Sequence, residues 1–80
     1  MKECIVCENG WIIIGDKDES KINQTTVYLT NAAVVRRWNN GRGIGGIAKA
    51  EYKGEYTLDP IGDVEIYQNK ILFTIPCEWR

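Results

Sequence analysis

The chain has 80 residues, of which 44% are hydrophobic and 26% charged, and its formal net charge is −1. This length fits one small globular domain over residues 1–80, and the near-neutral charge disfavours non-specific nucleic-acid binding. The sequence contains no His, which excludes Ser-His-Asp triads, Cys-His dyads and His-ligated metal sites. We therefore expect a protein that is not an enzyme.

The first part of the chain predicts a β-hairpin. The sequence contains eleven Ile, five Val and five Thr, and β-branched residues favour strands. Residues 3–8 and 11–14 are the two predicted strands. Asn9 and Gly10 join them, because both tolerate the positive φ angles of a type I′ turn.

A third strand is predicted after a charged turn over residues 16–21. It covers residues 25–29 and places Val27 and Leu29 on one face and Tyr28 on the other, since side chains alternate along a strand. Residues 32–38 are compatible with a helix or a strand. Their alternating pattern favours the strand.

The next predicted element is a short helix over residues 44–52, which carries apolar side chains at spacings of three and four. Gly45 and Gly46 weaken this pattern, because glycine has a low helix propensity. Pro60 is placed in the loop that follows.

The last two strands cover residues 63–67 and 71–75, with a turn over residues 68–70. Strands this short and frequent predict a mainly β fold, a small SH3-like or other antiparallel barrel of five to six strands with one inserted helix. The predicted core is apolar throughout: Val6, Ile12, Ile14, Val27, Leu29, Val34, Ile47, Val64, Ile66, Ile71, Phe73 and Ile75.

The three cysteines, Cys4, Cys7 and Cys77, are an odd number and argue against a disulfide framework. Cys4 and Cys7 have the spacing of a zinc or redox pair, but a structural zinc site needs a fourth ligand. Because residues 5 and 6 continue a strand, Cys4 and Cys7 should lie on opposite faces. We predict reduced thiols, no metal site and no cofactor.

Four fragments of the sequence resemble an uncharacterised family of short phage and prophage proteins. They are L-T-N-A at residues 29–32, R-R-W at residues 36–38, I-G-G-I-A at residues 44–48 and the ending I-L-F-T-I-P-C at residues 71–77. The likeness covers most of the chain as spaced fragments. It implies a phage accessory protein made in a bacterial cytoplasm, and it implies no known activity.

A basic, glycine-containing segment is the candidate ligand site. Residues 36–53 carry five basic side chains and one acidic side chain, whereas both flanking parts of the chain are acidic. Glycines let a backbone approach an anion, Arg binds phosphate through two hydrogen bonds, and Trp can stack on a base. The candidate ligand-binding residues are Arg36, Arg37, Trp38, Arg42, Gly43 and Gly45.

The alternative for this segment is an ordinary solvated surface. Strict strand alternation would direct Arg36 and Arg37 to opposite faces. Their side chains would then be hydrated or would pair with carboxylates elsewhere, the candidates being Asp63, Glu65 and Glu78.

Two tyrosines, Tyr28 and Tyr67, face away from the predicted core, and each fits either an interface or a half-buried surface. We expect a homo-oligomer, since a small β domain must cover its edge strands. No apolar run approaches the length of a membrane span, so the expected protein is soluble, makes no membrane contact and lies in the cytoplasm of the bacterial host.

The expected function is an accessory binding module that acts on host components, as in counter-defence, by binding a host protein. One alternative is a sponge that sequesters a small anionic ligand of the nucleotide type. Another is a nucleic-acid-binding accessory factor, although the charge makes nucleic acid the less favoured partner.

Overall fold

The computed structural model describes residues 2–21, 25–39, 41, 43–49 and 55–78. The five β-strands are β1 (Lys2–Cys7), β2 (Ile12–Lys17), β3 (Thr26–Asn39), β4 (Glu55–Tyr67) and β5 (Ile71–Pro76). Three 3₁₀ turns lie at Glu8–Gly10, Ile44–Gly46 and Gln68–Lys70. No helix in the described ranges is long and apolar enough to cross a membrane.

The strands form one antiparallel sheet in the order β4-β3-β2-β1-β5. β4 and β5 are the opposite edges of this sheet, yet only the Gln68–Lys70 turn separates them in the chain. The last residue of β4 and the first residue of β5 therefore lie close together at this turn, so the sheet is curled. The predicted fold class is confirmed as a mainly β domain of five antiparallel strands.

The first hairpin has the predicted backbone but a longer loop. Asn9 and Gly10 both have positive φ, at 63° and 81°. The Cys7 N–H donates to the Trp11 carbonyl at 2.7 Å. The loop therefore contains the three residues of the Glu8–Gly10 turn and not the two residues of a type I′ hairpin.

β3 is one strand of 14 residues, where the sequence predicted two. Asn31 has a φ of 49°, and the pairing register shifts between Leu29 and Ala32. This irregularity bends the strand without ending it. The strand prediction for residues 32–38 is confirmed.

β4 is also longer than predicted, because it contains Pro60 opposite Ala33. The prediction of a loop at Pro60 is wrong. β4 is an edge strand, and an edge tolerates proline because one side of the strand needs no donor.

The predicted helix over residues 44–52 is wrong in its described part. Only Ile44–Gly46 forms a 3₁₀ turn, and residues 50–54 lie outside the described ranges. Two adjacent glycines cost helix stability. Ile47 and Ala48, which follow the turn, are instead completely buried in the core.

The core consists of two clusters on opposite faces of the sheet. Cluster A contains Cys4, Val6, Ile12, Ile14, Val35, Ile47 and Ala48. Cluster B contains Ile5, Cys7, Leu29, Ala32 and Ile66. β1 contributes to both clusters because its alternate side chains point to opposite faces.

Half of the predicted core is fully buried, namely Val6, Ile12, Ile14, Leu29, Ile47 and Ile66. Five others are half-buried, namely Val27, Val34, Val64, Ile71 and Ile75. The prediction that Phe73 belongs to the core is wrong, because Phe73 is 45% exposed. It lies on the edge strand β5, which has a neighbouring strand on one side only. A register shift opposite Val6 and Cys7 leaves Leu72 as an extra residue in β5, so Ile71 packs against cluster B and Ile75 against cluster A.

One glycine is required by close packing between β2 and β3. A Cβ atom at Gly15 would lie 3.1 Å from the Ala32 Cα and 3.2 Å from the Leu29 Cβ. The pairing of the two strands shifts register at this place, between Ile14 and Asp16. Glycine thus lets the bent part of β3 approach β2 closely.

Candidate functional site

A β-bulge determines where the two strand arginines point. Val35 lies opposite Leu58 and Arg37 lies opposite Thr57, so Arg36 is an extra residue in β3. Because a bulge breaks the alternation of side chains, Arg36 and Arg37 are both exposed and line the same open depression. The expectation that they lie on opposite faces is wrong.

This arginine depression has a volume of about 530 Å³. Its lining residues are Arg36, Arg37, Trp38, Asn39, Glu55 and Thr57. Trp38 also packs against cluster A, so its ring is held in place beside the two arginines.

The charges of the depression are mixed. The Arg36 Nε lies 3.3 Å from the Asp59 Oδ2, and both side chains are exposed. Glu55 adds a second carboxylate to the rim. An exposed ion pair is worth at most about 1 kcal/mol, so an anion could displace Asp59 but would have to compete with it.

The carboxylate that pairs with Arg36 is Asp59, which the sequence analysis did not name as a candidate. Glu78 pairs with Lys49 at 3.1 Å, and Glu65 accepts a hydrogen bond from Tyr28. Asp59 pairs with Arg36 because the β3–β4 register places Asp59 opposite Val34, two residues before Arg36.

Two other predicted ligand residues do not line the depression. Gly43 and Gly45 are exposed residues at the Ile44–Gly46 turn. Neither is among the described residues that line the depression. Arg42 lies outside the described ranges. Of the predicted ligand residues that the structure describes, Arg36, Arg37 and Trp38 lie together at the depression.

A second surface lies at the end of the first hairpin, where two exposed aromatic side chains flank one groove. Trp11 is 58% exposed and Tyr67 is 65% exposed. Both line a groove of about 330 Å³, which we call the Trp11–Tyr67 groove. Its apolar lining is completed by Cys7, Ile13 and Ile66, and its polar lining consists of Glu8, Asn9, Glu65 and Lys70.

Two turns that are distant in sequence build this groove. Trp11 follows the Glu8–Gly10 turn, and Tyr67 precedes the Gln68–Lys70 turn. The Lys70 Nζ lies 3.6 Å from the Glu8 Oε2 and links the two turns. Sequence reasoning predicted that Tyr67 faces outward but assigned Trp11 to a strand. The one feature of the sequence that could have indicated an exposed Trp11 is its position directly after a hairpin turn.

Tyr28, the other candidate interface tyrosine, is half-buried in a polar contact. Its hydroxyl donates a hydrogen bond to Glu65, the residue opposite it on β4, and this bond raises the pKa of the phenol. The Lys21 Nζ lies 5.4 Å from the centre of the Tyr28 ring. Tyr28 and Glu65 thus form an ordinary cross-strand pair, and Tyr28 fits the half-buried surface of the two alternatives.

The three thiols are free, and Cys4 and Cys7 lie in different clusters on the two faces of β1, as predicted. Burial, assisted by the charges of Cys77 and Glu3, raises the pKa of Cys4 to about 12. Burial also raises the pKa of Cys7. Neither buried thiol is therefore an activated nucleophile. In the part of the chain that the structure describes, no group of three or more His, Cys, Asp and Glu side chains is placed to hold a metal ion.

No family model, no curated protein and no solved structure matches this chain. The two surfaces differ in what they offer a ligand. The arginine depression holds arginines beside carboxylates, whereas the Trp11–Tyr67 groove offers exposed aromatic rings over an apolar floor.

Proposed function

We propose that this protein is a non-enzymatic phage accessory module that binds a host protein at the Trp11–Tyr67 groove. The observation that carries the proposal is the pair of exposed aromatic side chains that line one mainly apolar groove. Trp and Tyr are enriched in protein interfaces, and buried aromatic anchors supply most of the binding energy there. The phage context comes from the resemblance of the sequence fragments.

The polar rim indicates the chemistry of the partner. Lys70 is already paired with Glu8, and Glu65 accepts a hydrogen bond from Tyr28. The rim thus carries two carboxylates against one ammonium group. A partner segment that is apolar and carries a basic side chain nearby fits this groove better than a partner segment that carries an acidic side chain.

Trp11→Ala and Tyr67→Ala test the proposal. The wild-type protein, immobilised and exposed to a bacterial lysate, should retain a partner whose Kd is then measured with purified components. Loss of an aromatic anchor costs about 2 kcal/mol or more, so each variant should bind that partner at least about 30-fold more weakly.

Ile61→Ala is the matched control, because Ile61 is an exposed apolar residue on β4 outside the groove lining. It should leave the Kd unchanged. Equal Kd values for wild type and both aromatic variants would refute the groove as the binding site.

A second candidate function, capture of a small anionic ligand, is supported by the bulge that places Arg36 and Arg37 beside one depression. In calorimetric titrations with nucleotides, cyclic nucleotides and a short single-stranded oligonucleotide, Arg37→Ala should weaken binding of an anionic ligand by about 1.5–3 kcal/mol. Asp59→Asn should strengthen it, because Asp59 competes for Arg36. Absence of binding by wild type, or unchanged binding by both variants, would exclude this function.

A further inference from the structure

The two edge strands of the sheet carry very different side chains. β4 contains four carboxylate residues together with a proline and a glycine: Glu55, Asp59, Asp63, Glu65, Pro60 and Gly62. Such residues oppose pairing with another strand. β5 contains no charged residue, and it exposes Leu72 by 63% and Phe73 by 45%. An exposed, uncharged edge is a template for a further strand.

The backbone of β5 shows which groups face outward. Glu3 lies opposite Pro76, and the Cys77 N–H donates to the Lys2 carbonyl at 2.9 Å. Residues in an antiparallel pair alternate between those that bond to the neighbour and those that point away. Thr74 and Pro76 therefore direct their backbone groups away from β1. Pro76 offers only a carbonyl there, while Thr74 offers both a donor and an acceptor.

We propose that β5 pairs antiparallel with β5 of a second copy of this chain, across a two-fold axis at Thr74. In this register, Thr74 exchanges two backbone hydrogen bonds with Thr74 of the second copy. Leu72 lies opposite Pro76, and the Leu72 N–H donates to the Pro76 carbonyl. Because proline has no N–H, this pair makes one hydrogen bond instead of two. The pairing joins two five-stranded sheets into one.

Charge complementarity favours a second copy of this chain as the partner of β5, and it favours Thr74 as the position of the two-fold axis. Lys70 directly precedes β5, and Glu78 follows it by two residues, at equal distances along the chain from Thr74. In an antiparallel pair the start of one strand meets the end of the other, so a two-fold axis at Thr74 brings Lys70 of each copy to the same end of the interface as Glu78 of the other. An axis at Phe73 would offset these opposite charges by two residues.

Thr74→Glu tests the pairing at the axis, because a residue on the axis meets its own copy and the substitution sets two carboxylates against each other. Sedimentation equilibrium at micromolar concentration should give twice the 9.1 kDa chain mass for wild type. The dimer Kd should rise at least about tenfold for Thr74→Glu. Thr57→Glu, the same change on the β4 edge, should leave the dimer Kd unchanged.

An exchange of charges tests the register. Lys70→Glu and Glu78→Lys should each weaken the dimer, and the double variant should recover the wild-type dimer Kd. Within one chain these residues have other partners, Glu8 at 3.6 Å and Lys49 at 3.1 Å. The double variant leaves both of those internal pairs broken, so recovery must come from contacts between copies.

Circular dichroism establishes that each variant is folded before its mass is measured. A monomeric wild type would overturn the proposal. Dissociation by Thr57→Glu and not by Thr74→Glu would assign the interface to β4 instead. A double charge variant no tighter than the single variants would refute the register at Thr74.

Discussion

Replacement of Ile47 by Ala is expected to lower the free energy of unfolding by about 2–5 kcal/mol, a large part of the stability of a domain of this size. Ile47 has no exposed surface and belongs to cluster A. Its loss leaves a cavity between the sheet and the segment of residues 43–49. Urea denaturation followed by Trp fluorescence measures the change.

Ile44→Ala is the matched control for this prediction. Ile44 begins the same 3₁₀ turn, but 37% of its surface is exposed. The same truncation there should cost less than about 1 kcal/mol. Equal effects at the two positions would show that residues 43–49 do not complete the core.

The large loss of stability is expected because Ile47 belongs to a segment outside the β-strands, residues 43–49, that packs into cluster A. The segment is also tied to the end of the chain, because the Glu78 N–H donates to the Ala48 carbonyl at 2.8 Å and Lys49 pairs with Glu78. Side chains of a loop normally face solvent. Here the side chains of Ile47 and Ala48 are buried and complete cluster A.

Alkaline pH is expected to destabilise the protein through Cys4. Burial raises the pKa of this thiol from its ordinary value of 9.0 to about 12. Between these two values the unfolded chain has lost the proton that the folded chain still holds. The ionisation of Cys4 should therefore leave the free energy of unfolding unchanged below pH 9 and should lower it as the pH rises toward 12, by up to about 1.4 kcal/mol per pH unit.

Cys4→Ala isolates this contribution, because other groups such as tyrosines titrate in the same range. The variant should lose stability at neutral pH and show a flatter decline above pH 9 than the wild type. Chemical denaturation at a series of pH values measures both slopes. Identical slopes would contradict a buried, protonated Cys4.

The sequence predicted the local structure well where short-range geometry decides it. Asn9 and Gly10 mark the first hairpin because few other residue pairs accept two positive φ angles. The opposite placement of Cys4 and Cys7 follows from the two-residue period of a strand. The predicted turn at residues 68–70 is confirmed as a 3₁₀ turn.

The errors occur where contacts with a distant strand outweigh local preference. Pro60 suggested a loop by itself, but pairing with β3 keeps it in an edge strand. Spacing suggested a helix after Ile44, but burial of Ile47 in cluster A stabilises a different backbone. Ile71 and Ile75 pack against different clusters because a bulge at Leu72 interrupts the alternation of β5.

The two candidate surfaces also depend partly on local sequence and partly on contacts between distant strands. The sequence by itself determined the residue types that a binding surface needs, an arginine pair next to a tryptophan and an outward-facing Tyr67. Only the tertiary structure decided that Arg36 and Arg37 line one depression and that Trp11 and Tyr67 line one groove. A bulge and a curled sheet depend on how distant strands pair, and strand pairing is a long-range interaction that no local sequence pattern encodes.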